Sequence, residues 1–187
     1  MNDTVHFEKT LSSETLFEGR VITLTKDTAL LENGKTATRE VVHHHGGACI
    51  LPYFADGTIC MVRQFRYAMG EVLTEIPAGK LDYIGEDPAS AALRELREET
   101  GVEPIDENSC DIDHVGQFYS SEGMTDELAN IMVVHLRHWQ AVERHFDADE
   151  HVESAWIPWK QLRDTHITAS NSEIAILHEQ IRRIRQQ

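Results

Sequence analysis

Three glutamates, Glu95, Glu98 and Glu99, stand at positions i, i+3 and i+4. On a helix this spacing turns all three carboxylates to one side, with neighbouring Cβ atoms roughly 5–6 Å apart. Like charges so placed destabilise an isolated helix by roughly 0.2–0.5 kcal/mol per pair, and a partly buried position adds to that cost. A divalent cation is the natural compensation, because Mg²⁺ and Mn²⁺ favour oxygen ligands in octahedral geometry and carboxylates bridge neighbouring ions readily. The plain alternative is a solvated acidic face neutralised by Arg94 and Arg97 through weak surface pairs.

The carboxylates need a helix, and the sequence supplies one. Asp87-Pro88 offers an N-cap and a first-turn proline, Gly101 offers a stop, and Ala89, Ala92, Leu93 and Leu96 recur between them at helical spacing. The first third of the chain reads as strands joined by tight turns. Gly19–Leu24 and Thr36–Val42 flank Asn33-Gly34, a strong hairpin signal. Ala48–Phe54 turns at Asp56-Gly57 and returns as Thr58–Arg66, with Pro52 an awkward residue for the middle of a strand. Val115–Tyr119, Ala129–Leu136 and His151–Ile157 are further strands. Ile174, Leu177, Ile181 and Ile184 form one stripe of an amphipathic closing helix, expected to face the core. Strands flanked by a central and a terminal helix predict an α/β fold in which a mixed β-sheet is sandwiched between helices.

The stretch from Gly79 to Glu86, then seven residues, then Arg94-Glu95-Leu96-Arg97-Glu98-Glu99-Thr100-Gly101-Val102, resembles the Nudix box. Every fixed position of that pattern is matched. The departure is a first spacer of six residues, Lys80 to Gly85, in place of five. The resemblance implies the Nudix fold and hydrolysis of a nucleoside diphosphate linked to another group. It makes Glu95, Glu98 and Glu99 metal ligands, with the backbone carbonyl of Ala78 or Gly79 as a further one, and gives Arg94 the task of orienting the glutamates. Mg²⁺ is the expected cofactor, with Mn²⁺ as a substitute.

Three further segments, Thr38–His44, Val62–Tyr67 and Glu75–Leu81, resemble those of the ADP-ribose pyrophosphatase and NDP-sugar hydrolase branch of this family. The resemblance implies residues 1–45 as an N-terminal strand region that forms a homodimer and residues 46–187 as the hydrolase domain. It implies Arg39, Arg63 and Arg66 as donors to phosphate or ribose, a task suited to the guanidinium fork, with Arg39 serving the partner's site. Where the branch often has Glu-His-Pro, this chain has His43-His44-His45. Where many ADP-ribose enzymes have Ser-Pro-Gly, it has Ser121-Glu122-Gly123, with Glu122 a candidate substrate contact. The expected substrate is ADP-ribose, cleaved to AMP and ribose 5-phosphate. GDP-mannose or a broader set of NDP-sugars is the alternative, and a non-catalytic ADP-ribose sensor a third reading. By position, the acidic segment Asp147–Glu153 corresponds to the loop that carries the proton acceptor, making Glu150 the first choice for general base and Glu153 the second.

Charge and composition narrow the partners. A net charge of −15 speaks against a nucleic-acid polymer, whose backbone needs a surplus of Lys and Arg on one face. No apolar run approaches the roughly 18 residues of a membrane span, and residues 1–9 lack the features of a signal peptide, so a cytoplasmic protein is expected. Three cysteines without CxxC spacing suggest buried thiols rather than a disulfide or zinc framework.

Overall fold

Asn33-Gly34 closes a hairpin in the computed structural model, which describes residues 6–83, 85–146 and 151–186. Gly34 has φ +76°, a left-handed conformation that costs a glycine little. Residues 19–22, read from the sequence as strand, instead form a turn in which Gly19 N donates to Ile22 O at 2.9 Å, and the strands that Asn33-Gly34 joins are Thr23–Leu30 and Thr36–His43. β1 (Lys9–Glu18), β2 (Thr23–Leu30) and β3 (Thr36–His43) form an antiparallel sheet in that order. Every residue of β1 is exposed, so no alternation marks it as a strand. The chain divides into two compact units: this sheet with Tyr119–Leu128, and Gly46–Phe118 with the residues from Ala129 onward.

The second unit is built on a seven-stranded mixed sheet. Its strands are β4 (Gly47–Phe54), β5 (Thr58–Arg66), β6 (Glu71–Glu75), β7 (Ala78–Lys80), β9 (Cys110–Tyr119), β10 (Leu128–Leu136) and β12 (Val152–Pro158). The order is β12-β5-β4-β10-β9, with β6 on β5 and β7 on β4. β4 and β10 run parallel, whereas β6, β7 and β12 pair antiparallel. Short strands β8 (Val102–Pro104) and β11 (Trp139–Ala141) make a separate ribbon. Pro52 sits inside β4 without breaking it. The N–H of Ile50 points to Pro77 O, so the missing donor two residues on faces the same side, where β4 meets β5 only at Tyr53 and Ile59.

Alternation along the central strands feeds two cores. Ala48, Ile50, Phe54, Met132 and Val134 pack with Ala91, Ala92 and Leu96 of helix α1 (Pro88–Thr100). Cys49, Leu51, Ile131 and Val133 pack with Ala175 and Ile176 of helix α2 (Ser170–Arg185). The sheet thus lies between two helices, as the sequence indicates. Helix α1 also keeps its signalled caps: Asp87 accepts from Ser90 N at 2.9 Å, and Gly101, at φ +72°, donates to Arg97 O. Of the cysteines, Cys49 and Cys60 are buried and Cys110 partly so. Burial pushes the Cys60 thiol up to about 12, which leaves it unreactive.

The closing helix corrects the sequence reading. Its buried stripe is Ser172, Ala175, Ile176 and Glu179, while Leu177, Ile181 and Ile184 are exposed. A fully buried glutamate is tolerable because its charge is matched. Arg182 donates to Glu179 from Nε at 2.7 Å and Nη2 at 2.9 Å, and Arg183 Nε donates at 2.8 Å. Arg183 also lies over the rings of Tyr53 and Trp159, 4.2 and 4.8 Å from their centroids. Burial alone would raise the Glu179 carboxyl, but the two arginines outweigh it and hold it below its ordinary value. Burial lowers His135 beside it, and the guanidinium of Arg182 can only donate to His135 Nδ1, which puts the neutral ring's proton on Nε2.

Both depressed values carry the same sign. Below about pH 6.5, the ordinary histidine value, the unfolded chain takes up the proton that folded His135 refuses, and below about 4.5 the same holds for Glu179, so stability falls as pH falls. Glu179→Ala is expected to cost about 3 kcal/mol at neutral pH, the low end for breaking a buried pair, because both arginines are part-exposed. Urea denaturation at pH 7 and pH 5 checks both expectations.

Candidate active site

The site is assembled on the residues that follow β6. The chain passes through Ile76-Pro77 into β7, whose residues Ala78, Gly79 and Lys80 pair with Cys49, Ala48 and Gly47 of β4. Helix α1 packs directly on this strap. Gly79 lies so close to helix α1 that a Cβ at that position would meet the Glu95 carboxylate and displace it. Gly47 faces a similar limit, because its Cβ would lie 2.9 Å from Gly79 O. The absent side chains thus let the two strands approach closely and leave room for the Glu95 carboxylate beside Gly79.

Glu95 and Glu99 meet this strap, and Glu95 and Glu98 share one cation, Arg94. Glu99, 5% exposed, accepts the Ala78 N–H at 3.0 Å. Arg94 Nη1 donates to Glu95 at 2.7 Å and to Glu98 at 3.2 Å, and its Nη2 donates to Lys80 O at 3.2 Å. Asp82 and Glu86 stand 3.5 and 3.6 Å from the same guanidinium. Burial alone would lower Arg94, but Glu95, Asp82 and Glu98 outweigh it and hold it above its ordinary value. Its Nε is buried without a hydrogen-bond partner among the described residues. One positive charge thus serves four carboxylates, two of which, Asp82 and Glu86, come from the six-residue spacer and its end.

The donor chemistry fits a hard cation: carboxylate oxygens on one helix face beside the backbone of a close-packed glycine strand. As the side chains stand, no group of three or more acidic, histidine or cysteine residues among those described is gathered around one point. Arg94 accounts for this, because its Nη1 draws the oxygens of Glu95 and Glu98. Glu98 has the most exposed side chain of the pair, 36% against 13% for Glu95, and so the greatest freedom to turn toward an ion.

The other sequence-derived residues lie in several places. Arg66 Nε donates to Glu75 at 2.7 Å, a carboxylate to which sequence reading gave no role; the two stand nine residues apart across the β5–β6 hairpin, which was the available signal. Arg63 faces Glu153 across β5 and β12, with 3.8 Å between Nη1 and the carboxylate. These two continue the alternation of Met61 and Ala155, which belong to the core packed on α2, whereas the α1 carboxylates lie on the opposite face. Glu150 lies outside the described residues. Residues three apart in a strand point to opposite faces, so strand alternation gives no ground for grouping Glu150 with Glu153.

In the other unit, Arg39 donates to Glu8 at 2.9 and 2.5 Å and to Thr38 O at 3.0 Å, so a ligand would have to displace Glu8. Glu122 is exposed in the segment that folds against β3. The histidine run is more than a strand end. His43 Nδ1 lies 2.6 Å from Asp126, its Nε2 3.2 Å from Thr25 Oγ1, and Asp126 also accepts the His44 N–H at 2.9 Å. Donation from Nδ1–H and acceptance at Nε2 satisfy both contacts.

Residues 43–177 match the NUDIX domain, and residues 8–42 match the nucleoside diphosphate sugar hydrolase N-terminal domain. A Bacillus subtilis (strain 168) protein named ADP-ribose pyrophosphatase is 39% identical over 146 residues, 78% of this chain and 76% of that one. A Bacillus methanolicus protein named methanol dehydrogenase activator is 34% identical over 179 residues, 93% of each chain. A crystal structure of an ADP compounds hydrolase superposes with a TM-score of 0.77 at 16% identity, covering 96% of this chain and 95% of that one, which shows a shared fold. With the glutamate face of α1 set against the Gly79 strap inside the matched region, the chain belongs to the Nudix family of hydrolases, and to the kind that carries the NDP-sugar hydrolase N-terminal domain.

Proposed function

We propose that this protein is a metal-dependent pyrophosphohydrolase that cleaves ADP-ribose to AMP and ribose 5-phosphate. The observation that carries the proposal is the glutamate face of α1, partly buried against a glycine strap and compensated by one arginine. The N-terminal domain match and the relative named ADP-ribose pyrophosphatase support the substrate class. Mg²⁺, or Mn²⁺ in its place, would supply charge to offset that developing on the diphosphate in the transition state and would lower the pKa of a water. Glu95, Glu98 and Glu99, with a backbone carbonyl of Ala78 or Gly79, are the residues to hold it. Arg94 fixes the rotamers of Glu95 and Glu98. Arg66, gripped at Nε by Glu75, keeps its terminal nitrogens for the diphosphate, and Arg39, toward the partner's site, and Glu122 are the further substrate contacts, whereas Arg63 stands with Glu153 on the α2 face of the sheet.

Dimer formation through the N-terminal sheet belongs to the same proposal. Phe7, Leu11, Leu16 and Phe17 are all exposed in that unit, and exposed apolar side chains gathered into a patch mark a protein–protein interface. Among the described residues no helix is long and apolar enough to cross a membrane. The experiment that tests the substrate is a comparison of kcat/KM for ADP-ribose, ADP-glucose, GDP-mannose, UDP-glucose and diadenosine polyphosphates. ADP-ribose is expected to lead, a lead for GDP-mannose would shift the assignment within NDP-sugars, and a lead for a dinucleoside polyphosphate would refute the class.

Glu150 is the proposed general base, taking the proton of the attacking water as its oxygen bonds one phosphorus of the diphosphate and the bond from that phosphorus to the bridging oxygen breaks, the bridging oxygen leaving with the other phosphate. A general base contributes roughly 10²–10⁴-fold, so Glu150→Gln is expected to lower kcat by about that factor with metal affinity little changed, and Glu153→Gln to cost less. Near-normal turnover in Glu150→Gln with an inactive Glu153→Gln would transfer the role to Glu153.

A further inference from the structure

We propose that Ser172 of α2 is a positioning residue for the glutamate face of α1, acting through the strap 76–80 from the other side of the sheet. The inference rests on the reading of that face as a cation site. Ser172 is the third residue of α2 and is 1% exposed. The N-cap position of this helix makes no side-chain cap bond. The Ser172 hydroxyl instead turns inward and accepts the N–H of Ile76 at 2.9 Å, where Ile76 is itself 1% exposed.

From that anchor the strap is held along its length. Pro77 O accepts from Ile50 N at 2.9 Å, Ala78 N donates to Glu99 at 3.0 Å, Gly79 lies against the Glu95 carboxylate, and Lys80 O accepts from Arg94 at 3.2 Å. Asn171, next to Ser172, reaches Cys49 Sγ at 3.5 Å, and Cys49 is the β4 partner of Ala78. Helix α2 therefore grips the strap at its start and α1 grips it at its end. At the α1 end, Gly79 and the Glu95 carboxylate occupy adjoining space, so a shift of the strap there changes where Glu95 can sit. Removing the hydroxyl leaves the Ile76 N–H buried without its acceptor and lets the strap drift, carrying the Ala78 N–H away from Glu99 and loosening the contact that seats Glu95. Groups that orient ligand side chains without touching the ion typically change metal affinity by about 10–100-fold when removed.

The test is the affinity of the full chain for Mn²⁺ without substrate, followed by the electron paramagnetic resonance signal of the free ion. Four further proteins are compared with wild type. Glu98→Gln removes a proposed ligand, Ser172→Ala removes the anchor, and Ala175→Gly loosens the same helix, in the core that also holds Ile76, while keeping the Ser172 hydroxyl. Ser172→Cys, which keeps the volume and a weak acceptor, serves if Ser172→Ala does not fold. Wild type is expected to bind Mn²⁺, Glu98→Gln to bind it weakly, Ser172→Ala about tenfold more weakly than wild type, Ser172→Cys in between, and Ala175→Gly within about twofold of wild type. Unchanged affinity in the Ser172 variants, with Glu98→Gln impaired, overturns the positioning role and leaves the cation site standing. An equal loss in Ala175→Gly overturns it as well, since general loosening of α2 would suffice. If wild type and Glu98→Gln behave alike, the cation site itself is refuted, and the role of Ser172 with it.

Discussion

Glu99→Gln is expected to lower kcat for ADP-ribose by about three orders of magnitude while leaving the protein folded. The substitution removes a charge and almost no volume. The glutamine carbonyl can still accept the Ala78 N–H that Glu99 accepts at 3.0 Å, so the strap keeps its partner. Three neighbouring carboxylates on one helix face repel one another, and neutralising one relieves that repulsion. Stability should therefore change little. Catalysis should not survive so well, because charge stabilisation by a bound cation is worth several kcal/mol and each 1.4 kcal/mol is about a factor of ten in rate. Turnover measured alongside urea denaturation separates the two effects. A folded variant within about threefold of wild-type kcat would reduce the α1 face to an acidic surface held by Arg94.

Such a variant can be chosen from sequence because helix α1 is specified locally. Asp87-Pro88 and Gly101 fix its ends, and the ladder of Ala92 and Leu96 fixes its rotation, so the side of Glu95, Glu98 and Glu99 follows from spacing alone. The central strands were legible for the same reason, since β4 and β10 are continuous apolar runs that only a doubly covered sheet requires. What escaped was set by partners distant in sequence. β1 is exposed at every residue and is a strand only because β2 lies beside it. β6, β7, β8 and β11 are three to five residues long, too short to show a period.

The closing helix misled because hydrophobic periodicity presumes that glutamate avoids the core. Glu179 is buried because Arg182, Arg183 and His135 converge on it, which turns α2 so that Leu177 and Ile181 face outward. The arginines show the same limit from the other side. Arg39 and Arg63 read as free forks for a diphosphate, yet Glu8 and Glu153 lie against them, and those pairings depend on strand register. Ser172 carried no signal, since a serine in the first turn of a helix is commonplace and only the fold brings it to Ile76 N.

The glutamate face can be tested as a whole by removing the cation it is proposed to hold. Hydrolysis of ADP-ribose, followed by the release of AMP and ribose 5-phosphate, should be measured with Mg²⁺, with excess chelator, and after Mg²⁺ or Mn²⁺ is returned. Metal-dependent cleavage predicts turnover with Mg²⁺, loss of activity to the level of the uncatalysed reaction in chelator, and recovery with either ion. Undiminished turnover in chelator would contradict the role assigned to Glu95, Glu98 and Glu99.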